Sequence, residues 1–122
     1  MAENDPQLLK GVLTMVLLKV LAEEEGYGYA VVVRLQELGF AGLAEGTIYP
    51  ALTRLERQGF LAARLERSSS GPARKYYRTT PQGLDELARS IRSWGELVSA
   101  VAQVLESPVP GEERDMAKAK EA

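Results

Sequence analysis

Cysteine and histidine are both missing from this chain of 122 residues. Without thiols there is neither a disulfide nor a thiolate metal site, and without imidazole the usual general base and metal ligand is gone. Carboxylates can replace histidine in acid–base work, but no two of them stand at helical spacing in an apolar setting, so no catalytic constellation assembles. No apolar run is long enough to cross a bilayer, and no secretory-signal pattern opens the chain. These absences point to a non-enzymatic, cytoplasmic protein with no cofactor, no metal and no membrane partner. The length fits one domain of ordinary size, small enough that burial against a partner would add to its stability.

Charge is present but unevenly placed. The chain as a whole carries −2 at neutral pH, which taken alone argues against a polyanionic partner. Between Glu45 and Thr80, however, the seven cations Arg54, Arg57, Arg64, Arg67, Arg74, Lys75 and Arg78 face only Glu45, Glu56 and Glu66. Binding to phosphates depends on where charge is presented rather than on its total, so this segregation is the informative quantity.

The same segment has a readable local structure. Ile48, Leu52 and Leu55 recur at i, i+4 and i+7, which places them on one side of a helix and leaves Thr47, Tyr49, Thr53, Arg54 and Arg57 to other sides. Pro50 cannot sit deep in a helix, so the helix is expected to start between Ala44 and Thr47, and Gly59 supplies its stop. Hydroxyls, a phenol and guanidinium groups on an exposed helix suit a DNA major groove, where side chains meet base edges. Two strand-like runs follow, 61–67 and 74–80, around the Ser-, Gly- and Pro-rich turn 68–73. A helix followed by a basic hairpin is the plan of a winged helix-turn-helix, with the wing beside the recognition helix.

The run Gly46-Thr47-Ile48-Tyr49-Pro50-Ala51-Leu52-Thr53-Arg54-Leu55-Glu56-Arg57-Gln58-Gly59-Phe60-Leu61, followed by Gly71-Pro72-Ala73-Arg74-Lys75-Tyr76-Tyr77-Arg78-Thr79-Thr80, resembles the signature of the PadR family of bacterial transcriptional regulators. Leu8-Leu9-Lys10-Gly11 and Gly28-Tyr29 match that family's first two helices, so the resemblance covers about residues 8–106. Tyr27 and Ala30 depart from the pattern, standing where many relatives carry His and Glu. The resemblance implies a mainly α fold with a small β-hairpin: a winged helix-turn-helix DNA-binding domain (1–80), a C-terminal dimerisation helix (81–106) and a disordered tail (107–122). It is similar to the family members with a short C-terminal helix, the multidrug-resistance regulators among them.

The flanking elements follow from patterning. Asp5-Pro6 caps a first helix whose apolar face is Leu9, Val12, Leu13, Val16, Leu17, Val20 and Leu21, ending before Gly26. A second helix is expected over about 27–38 despite the β-branched run Val31-Val32-Val33, with Gly39–Leu43 as the turn. Thr80-Pro81 opens the last helix, on which Leu84, Leu87, Ile91, Trp94, Val98, Val101 and Leu105 alternate by three and four. At about 1.5 Å per residue such a helix outruns a small winged domain, so its seam calls for a second copy. The other reading packs the seam wholly on the first helix of its own domain.

Trp94 carries two readings as well. A large aromatic on a seam ordinarily fills interface volume. The family resemblance adds a second reading, in which a tryptophan at the matching place lines a pore between protomers that takes planar hydrophobic compounds; Leu9, Leu13, Leu17 and Val98 would complete that pocket. The expected protein is therefore a homodimeric repressor of a palindromic operator, released by a small planar effector. Base contacts fall to Thr47, Tyr49, Thr53 and Arg54, and phosphate contacts to Arg57, Arg74 and Lys75. A winged-helix protein acting on a protein partner is the alternative.

Overall fold

The computed structural model describes residues 5–111. In chain order it contains α1 (Pro6–Glu23), β1 (Gly26–Tyr27), α2 (Gly28–Glu37), α3 (Glu45–Arg57), β2 (Leu61–Ser68), β3 (Gly71–Thr79) and α4 (Pro81–Leu105). The mainly helical architecture with a small antiparallel sheet agrees with the expectation. Most of the expected tail, 112–122, lies outside the described residues.

Several helix ends have an identifiable cause. The Asp5 carboxylate accepts hydrogen bonds from the N–H of Gln7 (2.8 Å) and Leu8 (3.4 Å), and Pro6 occupies the first helical position, where its missing N–H costs nothing. At the other end of α1, Arg34 of α2 donates to the carbonyls of Val20 (3.3 Å) and Glu24 (3.0 Å). The ends of α2 and α3 are the same device used twice. Gly39 (φ 107°) and Gly59 (φ 85°) turn the chain left-handed, and the next residue returns a hydrogen bond into the last turn, Phe40 to Leu35 (2.9 Å) and Phe60 to Leu55 (3.0 Å). This Schellman stop requires a residue that tolerates positive φ. The pattern Leu-x-x-x-Gly-Phe stands in the sequence at both places.

The valine run is helical because burial outweighs propensity. Val31 and Val32 are buried in the core; each gains on the order of 1.5–3 kcal/mol there, against helix penalties of about 0.5 kcal/mol per residue. The core is built from Leu17, Leu18 and Leu21 of α1, Val31 and Leu35 of α2, Ile48, Leu52 and Leu55 of α3, and Leu61 and Tyr77 of the sheet. No buried polar or charged residue occurs among the described residues.

The sheet has the order β1-β3-β2. Sequence patterning missed β1, which is only two residues long and pairs Gly26 with Tyr77 and Tyr27 with Tyr76. It covers the inner end of an edge that β3 would otherwise leave open. The hairpin turn is tighter than the composition suggested, since β2 runs to Ser68 and β3 starts at Gly71, with an irregularity between Glu66 and Ser68.

The chain divides into two compact units, the first ending at Ser90 and the second starting at Ile91. The opening turns of α4 thus belong to the winged unit. Thr80 donates its hydroxyl to the Gly59 carbonyl (2.7 Å) and accepts from the Gly83 N–H (3.0 Å). Leu87, expected on the intermolecular seam, is instead buried in the core of the first unit, because Gly83 and Leu87 are the face that α4 turns toward that core. In the second unit the whole run Ile91–Leu105 is exposed.

A Cβ placed on Gly83 would sit 2.2 Å from the Phe60 carbonyl oxygen, and backbone cannot yield as a side-chain tip does. Gly83→Ala is expected to lower the unfolding free energy by about 1–3 kcal/mol, measured by urea denaturation. A variant as stable as the wild type would show that α4 does not dock through this contact.

Candidate nucleic-acid interface

The exposed surface of α3 has a centre and two edges. Ile48, Ala51, Leu52 and Leu55 are buried, so on a helix of 3.6 residues per turn the centre of the opposite face is Gly46, Pro50, Thr53 and Arg57. Thr47 and Arg54 form the edge toward α1, where Arg54 donates to the Thr14 hydroxyl (3.4 Å). Tyr49 and Glu56 form the other edge. All seven residues proposed from sequence for nucleic-acid contact are exposed, but they do not form one cluster: Thr47 and Tyr49 flank the helix on opposite sides. Gly46 and Pro50 went unnoticed although their spacing with Thr53 and Arg57, by four, three and four, was there to be read. They keep the centre of the face low, so a flat partner can approach the helix backbone closely.

Tyr49 packs against α2 as well as facing solvent. It is 40% exposed, and its ring lies so close to Gly28 that a Cβ there would meet it at 2.3 Å. Burial of the ring, with the charge of Glu45 second, raises the phenol above its ordinary titration range. A phenol is protonated at neutral pH in any case, so Tyr49 carries an O–H donor there.

The wing has two chemically different faces. Directly paired residues share a face, so Leu61, Ala63 and Leu65 lie with Thr79, Tyr77 and Lys75 on the face that begins in the core. On this side the Lys75 ammonium binds Glu56 of α3 at 2.7 Å, an interaction that raises the lysine's titration range. Arg64, Glu66, Tyr76 and Arg74 occupy the other face, with Tyr27 of β1. Here the Arg74 guanidinium lies 4.5 Å from the Tyr27 ring centroid and that of Arg64 4.9 Å from Tyr76, while Tyr27 and Tyr76 meet edge to face at 5.4 Å. Arg64 also binds Glu25 and Glu66 (3.0 Å to the latter), which holds the Glu25 carboxyl below its ordinary range. Arg74 and Lys75, adjacent in sequence and expected to act together, thus project oppositely. Among the described residues no carboxylate lies within ion-pair distance of Arg54, Arg57, Arg67, Arg74 or Arg78.

The residues offered as pocket lining fall in different units. Leu9, Leu13 and Leu17 are core residues of the first unit, since their i+4 spacing forms the buried stripe of α1. Leu9 and Leu13 border a cleft of about 60 Å³ with Pro6, Leu43 and Thr47, too small for a drug-sized compound, whose sites run to about 300–1,000 Å³. Trp94 and Val98 lie in the second unit and are exposed.

The family model described as "Transcriptional regulator PadR-like family" matches residues 17–89, which hold α2, α3, the whole sheet and the start of α4. The chain belongs to the PadR-like family. A crystal structure of a PadR family regulator from Eggerthella lenta is 40% identical, covering 83% of this chain and 88% of that one, with a TM-score of 0.77. A PadR-like regulator from Bacillus cereus is also 40% identical over 83% of this chain and 98% of its own, at 0.73. A transcriptional regulator of Mycobacterium tuberculosis shares 36% identity over 80 residues, 66% of this chain and 73% of its own. The family and these neighbours are transcriptional regulators, not enzymes. Among the described residues no helix of this PadR-like protein is long and apolar enough to cross a membrane.

The Glu56–Lys75 pair carries a sign that can be checked. A lysine whose titration range is raised by folding adds stability that is fully present below the ordinary lysine range and is lost as pH rises through the raised one. Both groups are partly exposed, so Glu56→Gln is expected to cost less than about 1 kcal/mol at pH 7, to bring the Lys75 ammonium back toward its ordinary range by NMR titration, and to show a shrinking cost as pH rises. A Lys75 titration unmoved by the substitution would mean that the pair does not form in solution.

Proposed function

We propose that this PadR-like protein is a homodimeric repressor that reads a palindromic or pseudo-palindromic operator in double-stranded DNA and is released by a small planar hydrophobic effector in the cytoplasm. One observation carries the DNA reading. The low, polar face of α3 stands beside a wing that holds cations without carboxylate partners, in a chain whose net charge is otherwise negative. Within that reading Thr53 and Arg57 meet the groove centrally, Thr47 and Arg54 reach one side of it, and Tyr49 offers its phenol to the other. Lys75 exchanges Glu56 for phosphate, whereas Arg74 reaches phosphate only by leaving the Tyr27 ring. Two recognition helices about one duplex turn apart would place half-sites roughly 10 base pairs apart, or a multiple of that.

Selection of bound sequences from random duplex DNA tests this directly: enrichment of a two-fold-related sequence is expected, and no enrichment would sink the reading. On the selected site, Tyr49→Ala is expected to cost about 1–3 kcal/mol, and far less on random DNA. Arg57→Ala and Lys75→Ala should each lower the salt slope of binding by about one, and Arg74→Ala by less. Equal slopes for wild type and Lys75→Ala would remove the wing from the phosphates.

Support for the dimer comes from α4. Leu84, Ile91, Trp94, Leu97, Val98, Val101, Val104 and Leu105 are all exposed, an apolar stripe of a kind that marks an interaction site on a folded protein. Ile91→Glu would set an unpaired charge on that stripe and is expected to yield monomers by sedimentation, with operator binding weakened accordingly. A dimer that persists would displace the interface from α4. Trp94, the sole tryptophan, reports the effector: stacking compounds should quench its emission and weaken operator binding by the same linkage.

A further inference from the structure

The wing carries one large apolar side chain that the fold does not use. Leu65 is 72% exposed and stands opposite Lys75 in the hairpin register. It therefore lies on the face that starts in the core with Leu61 and Tyr77 and continues outward past Lys75, whose ammonium reaches across to Glu56 of α3. The opposite face is already occupied by its own stacked and paired groups, Arg74 on Tyr27 and Arg64 on Tyr76, Glu25 and Glu66. So the wing turns toward the α3 side a leucine beside a lysine, and its tip adds Arg67, Ser69, Ser70, Gly71 and Pro72 without a carboxylate.

That combination fits one occupant. Next to the major groove read by a recognition helix lies the minor groove, whose walls are deoxyribose and whose rims are phosphate. An apolar side chain is solvated there by sugar, or wedges at a base step, while a cation beside it meets the rim. The floor discriminates: a G·C pair raises the guanine 2-amino group into the groove, and an A·T pair leaves it clear.

Resting on the reading that α3 meets duplex DNA, we propose that Leu65 is a sequence-discriminating residue outside α3, which enters the minor groove flanking each α3 half-site and makes the protein prefer A·T pairs there. Discrimination arises from groove shape and deformability rather than from hydrogen bonds to base edges.

The test uses the intact dimeric protein and duplexes carrying its selected half-sites. Three flanks are compared: A·T, G·C, and inosine·cytosine, which lacks the 2-amino group while keeping the major-groove pattern of G·C. For the wild type, binding is expected to fall about five- to tenfold from A·T to G·C, the low end of a single-pair discrimination, and to recover with inosine. Leu65→Ser is expected to bind all three flanks alike while keeping its half-site preference and salt slope, and Leu65→Met to retain the wild-type order. Because Leu65 is exposed, the unfolding midpoint of the serine variant should match that of the wild type. A wild type indifferent to the flank, or a serine variant that still discriminates, overturns the role of Leu65 while leaving the α3 reading intact. A wild type that selects no duplex sequence at all is the distinct signature of the functional reading itself failing.

Discussion

Four elements of this protein meet at the turn Gly59-Phe60, and the geometry of the candidate interface depends on how that turn is held. Gly59 ends α3 by adopting a backbone conformation that other residues resist, and Phe60 closes the stop by bonding back to Leu55. Thr80 then secures the same two residues from the far end of the hairpin, its hydroxyl donating to the Gly59 carbonyl and its N–H to that of Phe60 (3.0 Å). Gly83 lets the first turn of α4 close against the backbone of Phe60. The end of α3, both roots of the wing and the start of α4 are thereby fixed relative to one another within the first unit. A helix can enter a groove while a wing touches the neighbouring one only if the angle between them is set in advance, and here backbone groups rather than long side chains set it.

Beyond that turn the wing is held on both faces. The outer face of the wing is held by cations stacked on aromatic rings, which lose little strength in salt, together with the exposed pairs of Arg64 with Glu25 and Glu66, which lose more. The inner face is rooted in the core by Leu61 and Tyr77, and further out the Lys75 ammonium lies 5.4 Å from the Tyr77 ring centroid and pairs with Glu56 of α3, an exposed pair that salt and competing anions weaken. Both faces thus combine a cation beside an aromatic ring with an exposed ion pair, and the Lys75–Glu56 pair is the one that ties the wing to α3.

Most of the fold was legible in the sequence because its signals were local. Gly59 and Gly39 announced their helix ends, Asp5-Pro6 and Thr80-Pro81 their starts, and the leucine spacing of α3 its buried side. What escaped was set by tertiary pairing. β1 is two residues long and exists because β3 needs a neighbour, so no pattern in Gly26-Tyr27 could disclose it. Leu87 obeyed the seam spacing of α4 perfectly and yet turned inward, because heptad position does not reveal where along a helix the protein's own core ends. The split between Arg74 and Lys75 was legible in principle, since adjacent residues on a strand point to opposite faces, but cationic clustering drew them together. The valine run of α2 shows the reverse case, in which local preference argued for a strand and burial decided for a helix.

The contact between Tyr49 and Gly28 bears on how such a regulator can diverge. A side chain at position 49 has to fit the hollow that a missing Cβ leaves in α2, as well as whatever it meets outside. Substitutions at either position disturb the packing of two helices, so an aromatic at 49 and a glycine at 28 depend on one another. Thr53 and Arg57 stand instead on the exposed centre of α3. A change at those positions leaves the contact between α2 and α3 as it is, whereas a change at Tyr49 is also a change in how the two helices fit together.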